Sequence, residues 1–275
     1  MTDAILAELA AAPAGVVYSC SGAAYVQEAL LAARSSIRHN ALPHVLFASV
    51  DVAPEPGLTV ARFEPSANPY VDKIANMRRS PFQRTIYLDT DTFVVDEIVH
   101  VLALLDRYDV VAAHAPGYRG LADPQVPLAF YELNTGVLAW RASDRLDAFM
   151  RDWEETYAAW LLAEPFPGAG KPSLAADQPA FRRCAWQHEI NLGVLAPEYN
   201  LRLGEPATIV DRVRVIHGRP RRRSFEQIAA AVNATPGPRT WPQPSRLSAL
   251  SRRLRRALAA RHSPTGRRGR DRGAR

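Results

Sequence analysis

The chain has 275 residues, 47% of them apolar, which is enough material for one sizeable hydrophobic core. Its two cysteines, Cys20 and Cys184, stand far apart in apolar segments, which argues against a disulfide framework or a zinc site and favours a reducing compartment. The net charge of +6 is unevenly distributed, because residues 212–275 contain 18 basic and 2 acidic residues, whereas residues 1–211 contain 16 basic and 26 acidic residues. The acidic first part argues against a generic nucleic-acid-binding enzyme, whose active face should carry positive charge.

Up to residue 114, apolar runs typical of buried strands alternate with amphipathic stretches that have helical periodicity. The predicted strands are residues 15–20, 44–50, 58–63, 84–88 and 109–114, and the predicted helices are residues 23–40, 71–79 and 96–108. Alternation of strands and helices without repeats is typical of a mostly parallel sheet flanked by helices. The sequence therefore predicts an α/β fold.

The second half continues this pattern less regularly, after a loop rich in Gly and Pro at residues 115–131. Strands are predicted at residues 134–140, 194–200 and 213–216, and helices at residues 144–163 and 175–187. Residues 234–245 contain four prolines and a glycine, a composition that favours a linker. We therefore predict one domain over residues 1–233, a linker over 234–245, and a basic amphipathic helix with a disordered tail over 246–275.

Two carboxylates, Asp89 and Asp91, directly follow the predicted strand at residues 84–88. Residues two apart in an extended chain point to the same side, so both carboxylates can face one ion. Carboxylate oxygens are hard ligands that suit Mn²⁺ or Mg²⁺, and ligands of open α/β sheets bind beyond the carboxyl ends of the strands. His217 ends another short apolar stretch, and its neutral imidazole would complete a three-ligand metal site.

The segment SPFQRTIYLDTDTFVVDEI around these acids resembles the DxD region of the glycogenin-like glycosyltransferases, family 8 and its bacterial relatives. Four further features occur in the order that this family shows: Lys73, 16 residues before Asp89, then NTGV at 134–137, the Asp-Gln pair at 177–178, and VIHG at 215–218. The resemblance covers roughly residues 15–220. It implies a GT-A-type nucleotide-diphospho-sugar transferase fold with a mostly parallel central sheet flanked by helices.

The resemblance also implies an activity, namely metal-dependent transfer of a sugar from a nucleotide-diphosphate donor. It favours a UDP-sugar and retention of the anomeric configuration. The implied roles are metal binding by Asp89, Asp91 and His217, donor binding by Lys73 and Thr90, and positioning of the sugar by Asn134, Asp177 and Gln178. Ser19, Ser21 and Tyr25 lie near the end of the first predicted strand, and this position makes them candidates for contacts with the base and ribose.

One departure from the family pattern follows His217. The family often has His-x-x-Gly followed by Lys-Pro, whereas here Gly218 comes directly after the histidine and Arg219-Pro220 follows. The phosphate-binding lysine is missing in its usual form. Arg219 is the predicted substitute, because a guanidinium can bind two phosphate oxygens at once.

Each of these residues also has a plainer interpretation. Asp-x-Asp occurs in solvated turns, a lone histidine can end a strand, and a helical lysine such as Lys73 is more often a solvated charge. Asn-Thr-Gly is an ordinary turn sequence, and Asp177 can be a helix N-cap. It is the combination of motifs that favours a transferase site.

The basic end has a helical stripe of leucines within residues 245–262, with arginines around it. Such a helix can lie on an anionic membrane surface, although docking on its own domain and a solvated end are alternatives. The sequence has no signal-peptide pattern and no apolar segment of about 20 residues. We therefore expect a cytoplasmic protein that is at most peripherally bound to the inner face of the membrane. The acceptor of the sugar can be a glycan, a lipid-linked molecule or a protein.

Two other functions stay open. Sugar-nucleotide nucleotidyltransferases share this sheet topology, but they usually have a Gly-rich signature near the N-terminus, and the loop after Cys20 has only Gly22. A non-catalytic nucleotide-sugar-binding module, with a tail that binds a membrane or nucleic acid, is the third possibility. The complete set of Asp89, Asp91 and His217 argues against it.

Overall fold

The computed structural model describes residues 2–115, 123–163 and 177–241. The predicted basic helix and tail, residues 242–245 of the predicted linker, and part of the predicted 115–131 loop lie outside the described residues. The membrane role of the tail therefore stays a prediction. Within the described ranges, no helix has both the length and the apolar character needed to cross a bilayer.

The described chain alternates between strands and helices for most of its length. The helices are α1 (Thr2–Leu9), α2 (Val26–Ile37), α3 (Pro69–Arg78), α4 (Asp144–Leu162), α5 (Gln178–Gln187) and α6 (Phe225–Asn233). The strands are β1 (Ala14–Cys20), β2 (His44–Ala48), β3 (Leu58–Arg62), β4 (Arg84–Leu88), β5 (Thr92–Val94), β6 (Val110–His114), β7 (Leu133–Arg141), β8 (Leu192–Leu195), β9 (Leu201–Arg202), β10 (Ala207–Ile209), β11 (Val215–His217) and β12 (Arg239–Trp241).

A seven-stranded sheet in the order β3-β2-β1-β4-β7-β6-β8 forms the centre of the protein. Within it, β7 runs antiparallel to both of its neighbours, and every other pair is parallel. The prediction of an α/β fold with a mostly parallel sheet flanked by helices is confirmed. Because β1 and β4 are parallel neighbours, their carboxyl ends lie side by side, and the candidate site forms there.

The core has two layers, one on each face of the sheet, because successive side chains of a strand point to opposite faces. Val17 packs with residues of α3, α4 and α5, including Met77 and Trp153. Its neighbours Val16 and Tyr18 pack on the other face, against α2 and the 3₁₀ segment Val99–Asp106. The sequence of a strand that is buried on both faces is a continuous apolar run, and β1, β2 and β4 could be predicted for this reason.

Several elements differ from the prediction. The segment predicted as a helix over residues 96–108 is the 3₁₀ segment Val99–Asp106. The strand predicted over 194–200 ends at Leu195, and a 3₁₀ turn begins at Pro197, because proline has no N–H for a strand ladder. Helix α6 was not predicted, although the capping box of Ser224 and Gln227 marks its start.

Two small sheets lie beside the main one. Strands β5, β11 and β9 form a three-stranded sheet, in which β11 is antiparallel to β5. Strand β12 pairs antiparallel with β10, so residues 239–241 of the predicted linker form a strand. Phe93, Ile216 and Trp241 belong to one apolar cluster around α6. The domain boundaries stay a prediction.

Candidate active site

A cavity of about 400 Å³ opens at the carboxyl ends of β1 and β4. All twelve site residues predicted from the sequence line this cavity, although they come from segments spread over 200 positions of the chain. They are Ser19, Ser21, Tyr25, Lys73, Asp89, Thr90, Asp91, Asn134, Asp177, Gln178, His217 and Arg219. Their individual roles remain predictions.

Asp89 and Asp91 lie on a tight turn after β4, and not in an extended segment. The backbone N–H and the hydroxyl of Thr92 both donate to the carbonyl oxygen of Asp89, at 3.1 and 2.7 Å. The Asp89 N–H in turn donates to the carbonyl of Gly136 on β7, at 2.8 Å. The two carboxylates therefore converge because of this turn, and the alternation of an extended strand is not the reason.

The pairing of β11 with β5 brings His217 to the two acids. His217 lies opposite Thr92 in the antiparallel register, and the N–H of Gly218 donates to the carbonyl of Asp91 at 2.9 Å. The His217 Nε2 atom is 3.2 Å from an Asp91 oxygen and 3.7 Å from an Asp89 oxygen. One ligand atom from each of the three residues lies within 4.8 Å of the others.

Gly136 makes room for this convergence. A Cβ atom at position 136 would lie 2.2 Å from His217 Cε1 and 2.5 Å from an Asp89 oxygen, far inside contact distance. Position 136 therefore tolerates only glycine while the histidine and the acid keep these positions. The resemblance had singled out the NTGV segment, but the steric reason for its glycine was not predicted.

The donor set of this cluster fits a divalent cation. Two carboxylates and one imidazole are ligands that Mn²⁺ and Mg²⁺ accept in proteins, with Mn²⁺ the better match for the nitrogen. Burial alone would raise the pKa of Asp91, but the hydrogen bond to His217 and the charges of His217 and Arg219 outweigh this effect and lower it to about 2. Asp91 is therefore ionised at neutral pH and available as a ligand.

Lys73 is buried between two carboxylates, with only 5% of its surface exposed. Its Nζ atom is 3.1 Å from Asp89, 3.2 Å from Asp177 and 3.3 Å from the hydroxyl of Thr135. Burial would lower the pKa of Lys73, but the charges of Asp177 and Asp89 outweigh it and hold the pKa above its ordinary value. Lys73 is thus a charged internal partner of the acids, a structural role that the sequence did not predict.

We expect Lys73→Met to destabilise the fold by about 3–5 kcal/mol, because it leaves two partly or fully buried carboxylates without their cation. Urea unfolding followed by circular dichroism measures this change. A useful control is Arg151→Ala, which removes an exposed ion pair with Asp147 and should cost less than about 1 kcal/mol. Equal stability of Lys73→Met and the wild type would contradict the buried ion-pair assignment.

Arg219 lies at the rim of the cavity and is bound by an acid that was not predicted. Its guanidinium donates twice to Glu28, at 2.6 and 2.8 Å, and lies 3.6 Å from an Asp91 oxygen. The hydroxyl of Thr90 also donates to Glu28, at 2.7 Å. Glu28 therefore ties Thr90 and Arg219 together next to the two acids.

The three residues predicted to position the sugar lie at the floor of the cavity. Asn134 donates to Gln178, and both carboxylate oxygens of Asp177 accept from the hydroxyl of Thr135 at 3.0 Å. All three predicted residues are buried. Asp177 stands at the N-cap position of α5, in agreement with the alternative interpretation of this residue, but its side chain makes no capping hydrogen bond to that helix.

The three candidates near the end of β1 have different surroundings. Ser19 accepts from Asn76 at 3.0 Å, and Ser21 donates to Asp72 at 2.7 Å, so α3 holds both hydroxyls. The ring of Tyr25 is 44% exposed and lies 5.8 Å from the guanidinium of Arg219. An exposed aromatic ring at a cavity rim is available for stacking.

The sequence missed several residues of this site, among them Glu28, Glu132 and Asn200. Asn200 accepts a hydrogen bond from His217 Nδ1 at 2.9 Å, and Glu132 accepts from Gln178 at 3.0 Å. Each lies far from its partner along the chain, in a segment without a distinctive motif. No local signal in the sequence identifies them.

No protein-family model and no curated protein matches the sequence. Among solved structures, the chain is similar to WbbM, a bifunctional glycosyltransferase in its apo form, with a TM-score of 0.50 and 12% sequence identity. The match covers 70% of this chain and spans 40% of the WbbM chain. At this identity the similarity concerns the fold: the chain has a glycosyltransferase-like fold, and the narrower resemblance to the glycogenin-like family is not confirmed.

Proposed function

We propose that this protein is a metal-dependent glycosyltransferase that moves a sugar from a nucleotide-diphosphate donor to an acceptor hydroxyl. The observation that carries the proposal is the convergence of Asp89, Asp91 and His217 in one cavity at the carboxyl edge of a glycosyltransferase-like sheet. A donor diphosphate is strongly anionic, and a site lined with carboxylates binds it favourably only through a cation.

Asp89, Asp91 and His217 would hold Mn²⁺ or Mg²⁺, and a bound ion would neutralise charge on the diphosphate as it leaves. Arg219 is the residue on the cavity rim that can share this task, because its guanidinium can exchange Glu28 for phosphate oxygens. Lys73 would act from the buried side of the site, by holding Asp89 and Asp177 in place. The leaving nucleotide then needs no proton from the protein.

Asn134 and Gln178 would orient the sugar. Within the described residues, each side-chain amide uses one of its two N–H groups for a neighbour, so one N–H of each is left for a sugar hydroxyl. Tyr25, Ser19 and Ser21 would contact the nucleoside, at the end of β1. The preference for a UDP-sugar and the retention of configuration rest on the sequence resemblance.

A donor screen tests the proposal. We expect one of a set of UDP- and GDP-sugars, incubated with Mn²⁺, to release its nucleotide diphosphate, to stop doing so after EDTA, and to recover when Mn²⁺ is restored. Formation of a nucleoside triphosphate from sugar nucleotide and pyrophosphate would instead identify a nucleotidyltransferase. Binding of sugar nucleotides without release, even with mixed glycan, lipid-linked and protein acceptors, would identify a binding module.

A further inference from the structure

A second cavity, of about 870 Å³, adjoins the cavity that contains the candidate metal ligands, and we call it the arginine cavity. Its described lining comprises residues 218–223 together with Leu203, Gly204, Ile228 and Trp241. Four of these lining residues are arginines, and none is an acid. Arg219 lines both cavities, so the arginine cavity begins where the candidate active site ends.

Three of the four arginines carry charges that no acid balances within the part of the chain that the structure describes. Arg221, Arg222 and Arg223 are exposed, and none of them forms an ion pair there. Arg219, by contrast, is paired with Glu28. The arginine cavity can therefore bind an anion directly, whereas the neighbouring cavity, which is lined by several acids, needs a cation to do so.

Hydrogen bonds fix both ends of the segment that carries the arginines. At its start, Gly218 has a φ of 108°, and its N–H donates to the carbonyl of Asp91 at 2.9 Å. At its end, the hydroxyl of Ser224 caps α6 by accepting from the N–H of Gln227 at 3.2 Å. The segment between these two points is short, and Pro220 restricts its backbone further. The arginines are therefore kept close to the candidate active site.

The remaining lining of the arginine cavity is largely apolar. Leu203 follows β9, Ile228 belongs to α6 and Trp241 ends β12. Leu203 and Trp241 are only partly buried, so an apolar group or a ring of a ligand can pack against them. Guanidinium groups bind phosphate oxygens through paired N–H groups. The combination fits an organic phosphate better than a bare inorganic ion.

The concave shape of this surface favours a small ligand over a large polyanion. Small molecules bind in cavities, whereas a membrane surface or a nucleic acid requires a broad basic face. The rest of the domain does not offer such a face, because residues 1–211 contain 26 acidic and 16 basic residues.

We propose that the arginine cavity binds a phosphate group carried by the acceptor of the sugar. The inference rests on the proposed function, because an acceptor must reach the sugar held beside the metal, and Arg219 is common to both cavities. The arginines at 221–223 would bind the phosphate, and the apolar lining would contact the group next to it. A sugar phosphate and a lipid-linked phosphate share this chemistry.

Direct binding tests this site without any transfer reaction. Full-length protein that has been freed of metal on a chelating resin is titrated in a calorimeter with glucose 6-phosphate, a sugar-borne phosphate, and with geranyl diphosphate, a lipid-borne one. Without a cation, the acids of the neighbouring cavity repel both ligands. We expect at least one of the two phosphates to bind, and its phosphate-free counterpart, glucose or geraniol, not to bind. The phosphate that binds identifies the source.

The triple variant Arg221→Gln, Arg222→Gln, Arg223→Gln tests which residues bind the phosphate. We expect its affinity for the bound probe to fall about 30-fold, because three charged hydrogen-bond donors are lost at once. Its melting temperature should stay that of the wild type, since the three side chains are exposed.

The matched control is the triple variant Arg62→Gln, Arg107→Gln, Arg151→Gln. It removes the same total charge from three exposed arginines that line neither cavity. Its affinity for the probe should change by at most about twofold, because exposed charges at a distance are screened by solvent and salt.

Equal weakening in the two triple variants, or no binding of either phosphate, would overturn the inference. Binding to phosphatidylglycerol vesicles that depends on the arginines at 221–223, without binding of either small probe, would overturn it in favour of a membrane surface. A higher KM for the sugar nucleotide in the first triple variant, with unchanged probe binding, would assign these arginines to the donor instead.

Failure of this inference is distinguishable from failure of the proposed function, because probe binding requires neither metal nor donor. Arginine-dependent binding of a phosphate by a protein that releases no nucleotide in the donor screen would support the phosphate site and reject the transferase activity. Nucleotide release by a protein that binds neither phosphate would support the transferase activity and overturn the phosphate site.

Discussion

Asp91→Asn is expected to lower metal-dependent nucleotide release by about 10³-fold, the largest effect of any single polar substitution in the site. The amide keeps the shape of the side chain but loses the negative charge that a divalent cation requires. Removal of metal-based charge stabilisation costs several kcal/mol in the transition state, and about 4 kcal/mol corresponds to 10³-fold. The measurement is nucleotide release as a function of Mn²⁺ concentration.

The fold should survive this change, because Asp91 lies on a turn at the cavity and its carbonyl, which accepts from Gly218, is untouched. Asp106→Asn is a suitable control. Asp106 is an exposed acid paired with Arg84, the first residue of β4, and so lies at the end of this strand opposite to the site. Its loss should leave turnover and Mn²⁺ dependence unchanged. Turnover of Asp91→Asn within threefold of the wild type would remove Asp91 from the metal site.

The local part of the site could be predicted from sequence because its signals are short. Strand β4 and the acids after it stand in one run of residues, and β4 has the predicted bounds. The predicted reason for the convergence of Asp89 and Asp91 was nevertheless wrong. The two carboxylates converge because Thr92 forms hydrogen bonds that close a turn. A residue pattern shows that two acids are near one another, but side-chain direction depends on backbone hydrogen bonds that a pattern does not contain.

The long-range part of the site had a different source of information. The position of His217 beside the acids follows from the antiparallel register of β11 and β5. In the sequence, its place at the end of a short apolar stretch and the family resemblance pointed to it. Asn200, Glu132 and Glu28 had no such guide. Their partners are 17, 46 and 191 residues away in sequence, so the contacts exist only after the sheets have assembled.

Two basic side chains balance the carboxylates of the site. Lys73 binds Asp89 and Asp177 from the buried side, and Arg219 with Glu28 closes the exposed side. A diphosphate that reaches Arg219 must therefore compete with Glu28. This competition would lower the affinity for the donor, because the energy of the Arg219–Glu28 ion pair is lost when a phosphate replaces Glu28.

Gly136→Ala is expected to disrupt the metal site through a single methyl group. The new Cβ would lie 2.2 Å from His217 Cε1 and 2.5 Å from an Asp89 oxygen, so at least one of the two ligands must move by about 1 Å. Misplacement by that amount can cost about 10²-fold in rate. We expect nucleotide release to fall by about 10²-fold and the affinity for Mn²⁺ to fall with it, as measured on the same preparation.

Two other glycines separate a ligand effect from general strain. Gly204→Ala adds a methyl group with nothing within 4 Å, and it should behave like the wild type in every assay. Gly15→Ala places its Cβ 2.2 Å from the ring of Phe82, a clash as severe as that at Gly136 but in the core of the sheet. It should lower stability by about 1–3 kcal/mol and leave Mn²⁺ affinity unchanged. If Gly15→Ala lowers the Mn²⁺ affinity as much as Gly136→Ala does, strain anywhere in the sheet damages the site. The close packing of His217 and Asp89 against Gly136 would then not be the cause of the loss in Gly136→Ala.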